Sequence, residues 1–170
     1  MTRNAEMRAA QERIISLYSR KPNAALSCRR AGGGIREGLK CSVRERDHEA
    51  VMDLSKLVGG DETGPTPGFF IRAGLVGCVA IGIKLTAVRE GMDLGSIDVD
   101  VEMDFDDGAM FGVGANTAAP LETRLTIRIQ SPAPQDAVAA MVGRALEADP
   151  YFLAFRDAQH VSARVVATGE

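Results

Sequence analysis

The sequence is poor in the residue types on which many ligand and metal sites depend. Its 170 residues include no tryptophan and only 5% aromatic residues, so a ligand that stacks on aromatic rings has few partners. Its two histidines, His48 and His160, lie far apart in the chain, and its three cysteines form no CxxC pair. We therefore expect no metal ion, no cofactor and no structural disulfide framework.

The chain also lacks a strong excess of either charge and a long uncharged apolar segment. Its net charge of −3 argues against nucleic acid as a partner. The first 22 residues contain no apolar stretch typical of a signal peptide, and the uncharged apolar run at residues 73–83 is shorter than the roughly 20 residues that span a bilayer. These features predict a cytoplasmic protein without a membrane partner, of a length that suits one folded unit.

Apolar residues at helical spacing predict two helices in the first half of the chain. The first covers residues 3–20 and ends before Pro22, because proline cannot continue a helix. The second is much longer: it is expected to start after Pro67, to run to about Glu90 and to stop at Gly91. Two later helices are expected, one after an N-cap at Ser131 followed by Pro132, and a short one after Asp149-Pro150.

Alternation of apolar and polar residues predicts the strands. Residues 97–106 alternate between apolar and acidic side chains, and residues 121–130 carry Arg124 and Arg128 on their polar side. We expect these two strands to pair antiparallel, with the arginines facing part of the acidic row. Further strands are expected near residues 39–43, in the connection 108–120 and at residues 160–167, and a turn at the glycines of residues 31–34. This order of elements indicates an α+β fold.

Cys78 lies near the middle of the long predicted helix. Together with Gly74 and Gly82 it forms a stripe of small residues at positions i, i+4 and i+8, which would let another helix approach closely, as in a dimer interface. A cysteine on a buried apolar helix is usually a small hydrophobic residue, and burial raises its pKa. Cys78 is also too far from the helix N-terminus to benefit from the helix dipole. A reactive Cys78 therefore needs a cation from elsewhere in the fold.

Three motifs follow one another around this cysteine. Residues 59–67 form a Gly-Gly-x-x-x-Gly-Pro-x-Pro loop, Cys78 lies eleven residues after the last proline, and an alternating strand follows from Gly91. This region resembles the core of the OsmC and organic hydroperoxide resistance family. The resemblance covers residues 26–167, and it divides the chain into an N-terminal helical extension, residues 1–25, and an OsmC-like domain, residues 26–170. It implies an intertwined homodimer in which antiparallel sheets of both chains wrap around the long central helices.

The resemblance also implies which residues would carry chemistry. In the best-known members, a cysteine on the central helix attacks an organic hydroperoxide, an arginine holds it as thiolate, a glutamate orients the arginine and a second cysteine resolves the sulfenic acid. Cys78 matches the attacking cysteine, and Arg36 the arginine, with Arg29 and Arg30 as alternatives. Gly68 stands at the position of the glutamate. No cysteine follows Cys78, and the place of the resolving cysteine falls at Asp149 or Phe152.

These matches leave two hypotheses about function. The first is a one-cysteine thiol peroxidase acting on organic hydroperoxides, whose sulfenic acid is resolved by an external thiol or by Cys28 or Cys41. The second is a non-enzymatic family member that binds a small apolar ligand in the cleft at the dimer interface. Cys78 and the N-terminal arginines favour the first hypothesis. Gly68 and the missing resolving cysteine favour the second.

Overall fold

The computed structural model describes residues 2–167 as four α-helices and five strands that form two antiparallel sheets, which confirms the predicted α+β class. The first sheet has the order β1-β2-β3 and the second pairs β4 with β5. The elements are α1 Arg3–Arg20, β1 Gly32–Ile35, β2 Cys41–Glu45, β3 His48–Met52, α2 Pro67–Glu90, β4 Ile97–Asp104, β5 Glu122–Ile129, α3 Gln135–Leu146 and α4 Pro150–Arg156. Short 3-10 turns lie at Pro22–Ala25, Lys56–Val58 and Asp107–Phe111.

The long helix α2 has the predicted end and begins one residue earlier than predicted, at Pro67, and local chemistry explains both ends. At its start, the Thr66 side chain accepts a hydrogen bond from the Phe69 backbone N–H, and Pro67 takes the first helical position. At its end, Gly91 adopts a left-handed conformation with φ of 76°, which glycine adopts without strain. One face of the helix carries the core residues, which are Leu75, Val79, Ile83 and Ala87, packed with Met141 and Ala145 of α3.

The opposite face of α2 is apolar and largely uncovered. Ile81 is 61% exposed and Leu85 is 39% exposed, although both stand on the central helix of the chain. By length and composition α2 could cross a membrane, but the central helix of a folded core meets the same criteria. Its charged residues Arg72 and Lys84 explain why the uncharged run in the sequence is much shorter than the helix.

The second sheet has the predicted antiparallel pairing. Asp98 pairs with Arg128 and Glu102 with Arg124, so the arginines face the acidic row as expected. Arg124 donates hydrogen bonds to the Asp104 carboxylate, one of them over 3.0 Å from Nη2 to Oδ1. The ion pairs that Arg124 and Arg128 form with the acidic row are exposed, so each adds little stability. The alternate residues of the strands turn inward and pack against α2; they are Ile97, Val99, Val101, Met103, Leu125, Ile127 and Ile129.

The glycines of residues 31–34 form a strand, so the predicted turn at this place is wrong. Gly32–Ile35 is β1, and Gly33 pairs with Val43 of β2. A Cβ at Gly33 would lie 2.7 Å from the carbonyl oxygen of Ser42, so glycine permits the two backbones to approach closely. The expected strand near residues 39–43 is present as β2, shifted by two residues toward its C-terminal end.

The start of α3 also differs from the prediction. The helix begins at Gln135 with Pro134 as its N-cap residue, and not directly after Ser131. The Ser131 hydroxyl instead donates to the carbonyl oxygen of Asp93 over 2.7 Å and accepts from the Ala133 N–H over 3.1 Å. Because Ala133 precedes a proline, helical conformation is disfavoured there, and the helix starts later.

Two predicted strands are absent from the described chain. The connection 108–120 contains the end of a 3-10 turn and irregular loops, because Asp106 caps that turn through the Gly108 N–H. Residues 160–167 have no regular secondary structure and pair with no strand among the described residues, and Val165 is 92% exposed. A strand needs a neighbour for its backbone hydrogen bonds, and alternation in the sequence does not supply one.

A buried aspartate closes the loop that leads into α2. Asp53 is 2% exposed, and its carboxylate accepts hydrogen bonds from the Leu54 and Thr63 N–H groups over 2.8 and 3.0 Å. It also accepts from the Asp61 N–H and the Thr63 hydroxyl. These donors, first the Thr63 N–H, lower the pKa of Asp53. The loop also needs Gly60, since a Cβ there would lie 2.1 Å from the carbonyl oxygen of Leu54.

The helix α1 lies outside the resemblance but contacts α2. The Arg8 Nε donates to the carbonyl oxygen of Val88 over 3.0 Å, and the Gln11 Nε2 donates to that of Leu85 over 3.1 Å. These bonds join α1 to the C-terminal half of the central helix. The division of the chain at residues 25 and 26 stays a prediction.

The chain exposes much more surface than a compact monomer. Its accessible area is 12,725 Å², whereas a folded monomer of this mass exposes about 8,000 Å². The first sheet contacts the helices of its own chain only sparsely, and the apolar face of α2 is open. A three-stranded sheet needs a packed apolar face for independent stability. One chain alone therefore leaves these faces without cover.

Replacing Gly60 with alanine should destabilise the chain, because the new Cβ would overlap the carbonyl oxygen of Leu54. We expect a loss of about 1–3 kcal/mol in the free energy of unfolding, as for other overpacked sites. The matched control is Gly143→Ala on α3, where nothing lies within 4 Å of the added atom. That change should stabilise the helix by about 0.5–1 kcal/mol. Urea unfolding of both variants gives the comparison, and equal stabilities would contradict this account of the loop.

The variant Asp53→Asn should lower the melting temperature most at neutral pH. A folded-state pKa below the usual aspartate value of about 3.9 means that Asp53 stabilises the fold above that pH. The contribution is lost as the pH falls through the lower folded-state pKa. The difference in melting temperature between wild type and variant should therefore shrink below about pH 4. Asp61→Asn, an exposed carboxylate of the same loop, serves as control. A difference that does not change with pH would exclude an ionised Asp53.

Candidate functional site

Cys78 lies half-buried on the side of α2 that faces the start of α4. The stripe of small residues predicted around it divides into two parts. At Gly82, a Cβ would lie 3.1 Å from Oδ2 of Asp149, so this end of the stripe is in contact within the chain. At Gly74, nothing lies within 4 Å of such an atom. The close approach that the stripe permits is therefore made in part by α4, and its other end stays open.

Asp149 is the residue that approaches Cys78. It is 3% exposed and caps α4, because its Oδ1 accepts from the N–H groups of Tyr151 and Phe152 over 3.0 and 2.8 Å. Pro150 follows as the first helical residue, so an aspartate N-cap and a proline together fix the helix start. The predicted break at Asp149-Pro150 is confirmed. Its consequence is that a buried carboxylate faces the thiol.

The surroundings of Cys78 favour the neutral thiol. Burial is the largest cause that raises the pKa of Cys78, since it disfavours the thiolate. Asp149 raises the pKa further, as a hydrogen-bond acceptor for the thiol and through its negative charge. The Tyr151 backbone N–H acts in the opposite direction and lowers it. At neutral pH the isolated chain therefore holds Cys78 with its proton.

An apolar pocket lies one helical turn before Cys78. Its volume is about 360 Å³, and it lies between α2 and α4. Gly74 forms part of its wall, so the open end of the small-residue stripe belongs to the pocket. Aromatic rings of both helices supply much of the rest; the lining residues are Phe70, Ile71, Gly74, Leu75, Tyr151 and Phe155. Such a wall suits a small apolar ligand or the apolar part of a substrate.

Arg36, the predicted partner of Cys78, stands on a different part of the chain. It follows β1 and lines a polar depression of about 590 Å³ on the first sheet, together with Lys40 and Arg44. Within residues 2–167, no arginine is among the groups that shift the pKa of Cys78. The alternatives Arg29 and Arg30 lie in the exposed segment before β1. A single chain therefore does not bring the predicted cation to the thiol.

Gly68 stands where the family that the sequence resembles has a glutamate, and it lies next to an arginine. A Cβ at Gly68 would lie 3.2 Å from Nη1 of Arg72, one turn further along α2. Arg72 is half-buried. Sequence inspection missed this arginine, because i, i+4 spacing alone is common on every helix. A carboxylate at position 68 would meet Arg72 directly, whereas glycine leaves the guanidinium free of that partner.

The structure separates the two positions considered for a resolving cysteine. Asp149 faces Cys78, while Phe152 packs with the apolar core. The Asp-Pro pair indicates this cap in the sequence, since Asp-Pro at a helix start is typical of an N-cap and its first helical residue. It gave no sign that the free oxygen of the cap turns toward α2, because that orientation depends on how α4 packs.

Solved structures with the same fold share few residues with this chain. An OsmC like protein from Mycoplasma pneumoniae has a TM-score of 0.65 at 14% identity, over 76% of this chain and 88% of its own. An organic hydroperoxide resistance protein from Legionella pneumophila has a TM-score of 0.57 at 19% identity, over 78% and 91%. The organic hydroperoxide resistance protein OhrB of Bacillus subtilis has 0.52 at 17% identity, over 78% and 93%. No curated protein matches the chain.

The family is established from the sequence of the central region. Residues 59–163 match the family described as OsmC-like protein. The match begins at the glycine loop that Asp53 closes, includes Cys78 and Asp149, and covers more than half of the 170 residues. The identities of the solved structures establish the fold alone, and they agree with this match. The chain belongs to the OsmC-like protein family.

Proposed function

We propose that the chain is a homodimeric thiol peroxidase that uses Cys78 to reduce organic hydroperoxides. The observation that carries this proposal is the position of Cys78, half-buried on the central helix of an OsmC-like region and one turn from an apolar pocket. Two of the solved neighbours are named as organic hydroperoxide resistance proteins. The pocket would hold the organic part of the hydroperoxide, and the cysteine would meet its peroxide group.

In this reaction the Cys78 sulfur attacks the outer oxygen of the hydroperoxide. A sulfur–oxygen bond forms, the oxygen–oxygen bond breaks, and the organic part leaves as an alcohol, so that Cys78 becomes a sulfenic acid. An external thiol then forms a mixed disulfide with release of water, and a second thiol restores Cys78. No cysteine follows Cys78 in the chain. Cys28 or Cys41 would replace the external thiol only if the dimer brings one of them to the site.

A second chain would complete the site. The pKa of Cys78 is raised in the single chain, so reactivity at neutral pH requires a cation that offsets burial and Asp149. Arg36 stands on the sparsely covered first sheet, and the apolar face of α2 is open beside Cys78. We infer that the first sheet of one chain covers the α2 face of the other and brings Arg36 to the thiol. This cover would also remove the excess apolar surface.

The second candidate function is binding of a small apolar ligand without catalysis. Two observations favour it: the raised pKa of Cys78, and the carboxylate of Asp149 beside Cys78, at one of the two places considered for a resolving thiol. In this case the pocket between α2 and α4 would hold the ligand, and Cys78 would only contribute to its wall. The two functions differ in whether Cys78 changes chemically when a hydroperoxide is added.

The protein should be a stable homodimer in solution. Covering the α2 face and the first sheet should bury more than about 2,000 Å², as in permanent dimers. Ile81→Glu places a charge on the open face and should weaken the dimer, whereas Asp98→Ala on the exposed acidic row should not. Light scattering at micromolar concentration measures the mass of each. A folded monomer of the unaltered protein would refute this assembly.

Substoichiometric organic hydroperoxide should convert Cys78 to a sulfenic acid. The experiment uses the full chain with Cys28 and Cys41 replaced by serine, so that mass spectrometry after dimedone trapping detects Cys78 alone. Arg36→Ala should slow trapping about tenfold or more, because each unit of raised pKa removes about 1.4 kcal/mol of thiolate stabilisation. Cys78→Ser should abolish it.

The two candidate functions separate in the same samples. No modification under mild peroxide would favour the ligand-binding protein. An unchanged rate in Arg36→Ala would remove this arginine from the site, and Arg29→Ala and Arg30→Ala would then test the alternatives. With the native cysteines restored, a rapid disulfide between Cys78 and Cys28 or Cys41 would identify an internal resolving thiol.

A further inference from the structure

We propose that Asp149 is a second catalytic residue, which takes the proton of the Cys78 thiol and returns it to the alkoxide that leaves the hydroperoxide. The proposal rests on the proposed peroxidase function of Cys78. It assigns to Asp149 the transfer of a proton, a step that a resolving cysteine at the same place would not supply.

The geometry around Asp149 holds the carboxylate in one orientation. Its Oδ1 is occupied by the N–H groups of Tyr151 and Phe152, which fix the side chain at the start of α4. Its Oδ2 is turned toward α2 and lies 3.1 Å from where a Cβ of Gly82 would stand. Gly82 is one helical turn from Cys78, so the absence of a side chain there leaves room for the oxygen beside the thiol.

The charge environment makes Asp149 the natural proton acceptor. Among residues 2–167 it is the one ionisable side chain that acts on the Cys78 thiol, and it reaches the thiol from the junction of α3 and α4. The carboxylate is 3% exposed, so bulk water has little access to it. The Tyr151 N–H, which binds Oδ1, also acts on the thiol. The carboxylate and this N–H therefore lie together at the start of α4, on the side of α2 that carries Gly82 and Cys78.

A proton has to move twice in the reaction, and Asp149 is placed for both movements. In the reacting state Cys78 and Asp149 share one proton: Arg36 of the proposed dimer favours the thiolate, and the proton lies on Oδ2 as the sulfur attacks the outer oxygen of the hydroperoxide. The oxygen–oxygen bond breaks, and the inner oxygen leaves as an alkoxide, a strong base that needs a proton. Asp149 delivers the proton taken from the thiol, which gives the alcohol and restores the carboxylate. The outer oxygen keeps its own hydrogen, so the products are a sulfenic acid and an alcohol.

Proton transfer by Asp149 predicts a result that a purely electrostatic effect of Asp149 does not. Asp149→Asn keeps a good N-cap but removes the charge and the proton acceptor. The thiolate should then form at lower pH, since the carboxylate no longer raises the pKa of Cys78. Reaction with a hydroperoxide should nevertheless slow about 100-fold, a typical contribution of general acid–base catalysis.

The test compares three reagents on the full chain with Cys28 and Cys41 replaced by serine. Iodoacetamide alkylation against pH measures the pKa of Cys78, because iodide leaves without a proton. tert-Butyl hydroperoxide releases a strongly basic alkoxide, and peracetic acid releases a weakly basic carboxylate that needs no proton. Each rate is divided by the thiolate fraction. In Asp149→Asn the corrected rate should fall about 100-fold with tert-butyl hydroperoxide and stay within about threefold with peracetic acid.

Two controls separate catalysis from folding. Asp149→Ser also keeps a capping side chain and should behave like Asp149→Asn. Asp106→Asn changes the aspartate that caps the distant 3-10 turn and should leave all three rates unchanged. Circular dichroism melting shows whether each variant is folded.

Each outcome decides one question. If the alkylation profile shifts but the corrected rates with both peroxides stay unchanged, Asp149 only sets the pKa and the proton-transfer role is wrong. An unshifted alkylation profile would show that the carboxylate is not coupled to the thiol, which also overturns the inference. If wild type reacts with peracetic acid and iodoacetamide but with no organic hydroperoxide, the proposed peroxidase function fails first, and this role falls with it.

Discussion

The burial of one face of α2 is the contact on which the rest of the molecule depends. Among the described residues, every fully buried apolar side chain lies on α2 or on α3 packed against it. The second sheet covers the same face with its inward side chains, and α1 binds to the C-terminal half of the helix. Because α1 covers only the C-terminal half of this 24-residue helix, one face of the preceding part stays open. The edge between the covered and the open face is the border at which a site can form.

Cys78 stands on this border, and its electrostatics follow from that position. Partial burial disfavours the thiolate, and the cap of α4 adds a negative charge beside it. Both effects act in the same direction, and among residues 2–167 only the Tyr151 backbone N–H opposes them. The reactivity of the thiol is therefore decided by what covers the open face of α2. A cation there favours the thiolate, whereas an apolar cover would raise its pKa further.

How far the sequence predicts the molecule depends on whether the determining interactions are local. The bounds of α2 follow from Thr66, Pro67 and Gly91, and the pairing of β4 with β5 follows from strict alternation, so both were predicted. The glycine strand β1 was missed, because glycine marks a turn in sequence but here serves close pairing of two backbones. The strand expected at residues 160–167 was wrong for one chain, because pairing requires a neighbour that local sequence does not specify.

In the candidate site, too, the features set by local sequence were predicted and the contacts set by packing were not. The cysteine was found from its spacing after the last loop proline, and the break at residue 149 from an Asp-Pro pair. The contact between them was not predictable, since it depends on the angle at which α4 returns to α2. That contact also changes what the missing resolving cysteine means. A cysteine at position 149 would end the reaction with an internal disulfide, whereas a buried carboxylate leaves the oxidised sulfur open to an external thiol. Under the proposed function, an aspartate at one of the two places considered for the resolving cysteine therefore favours a site that exchanges protons within the chain and electrons with a separate molecule.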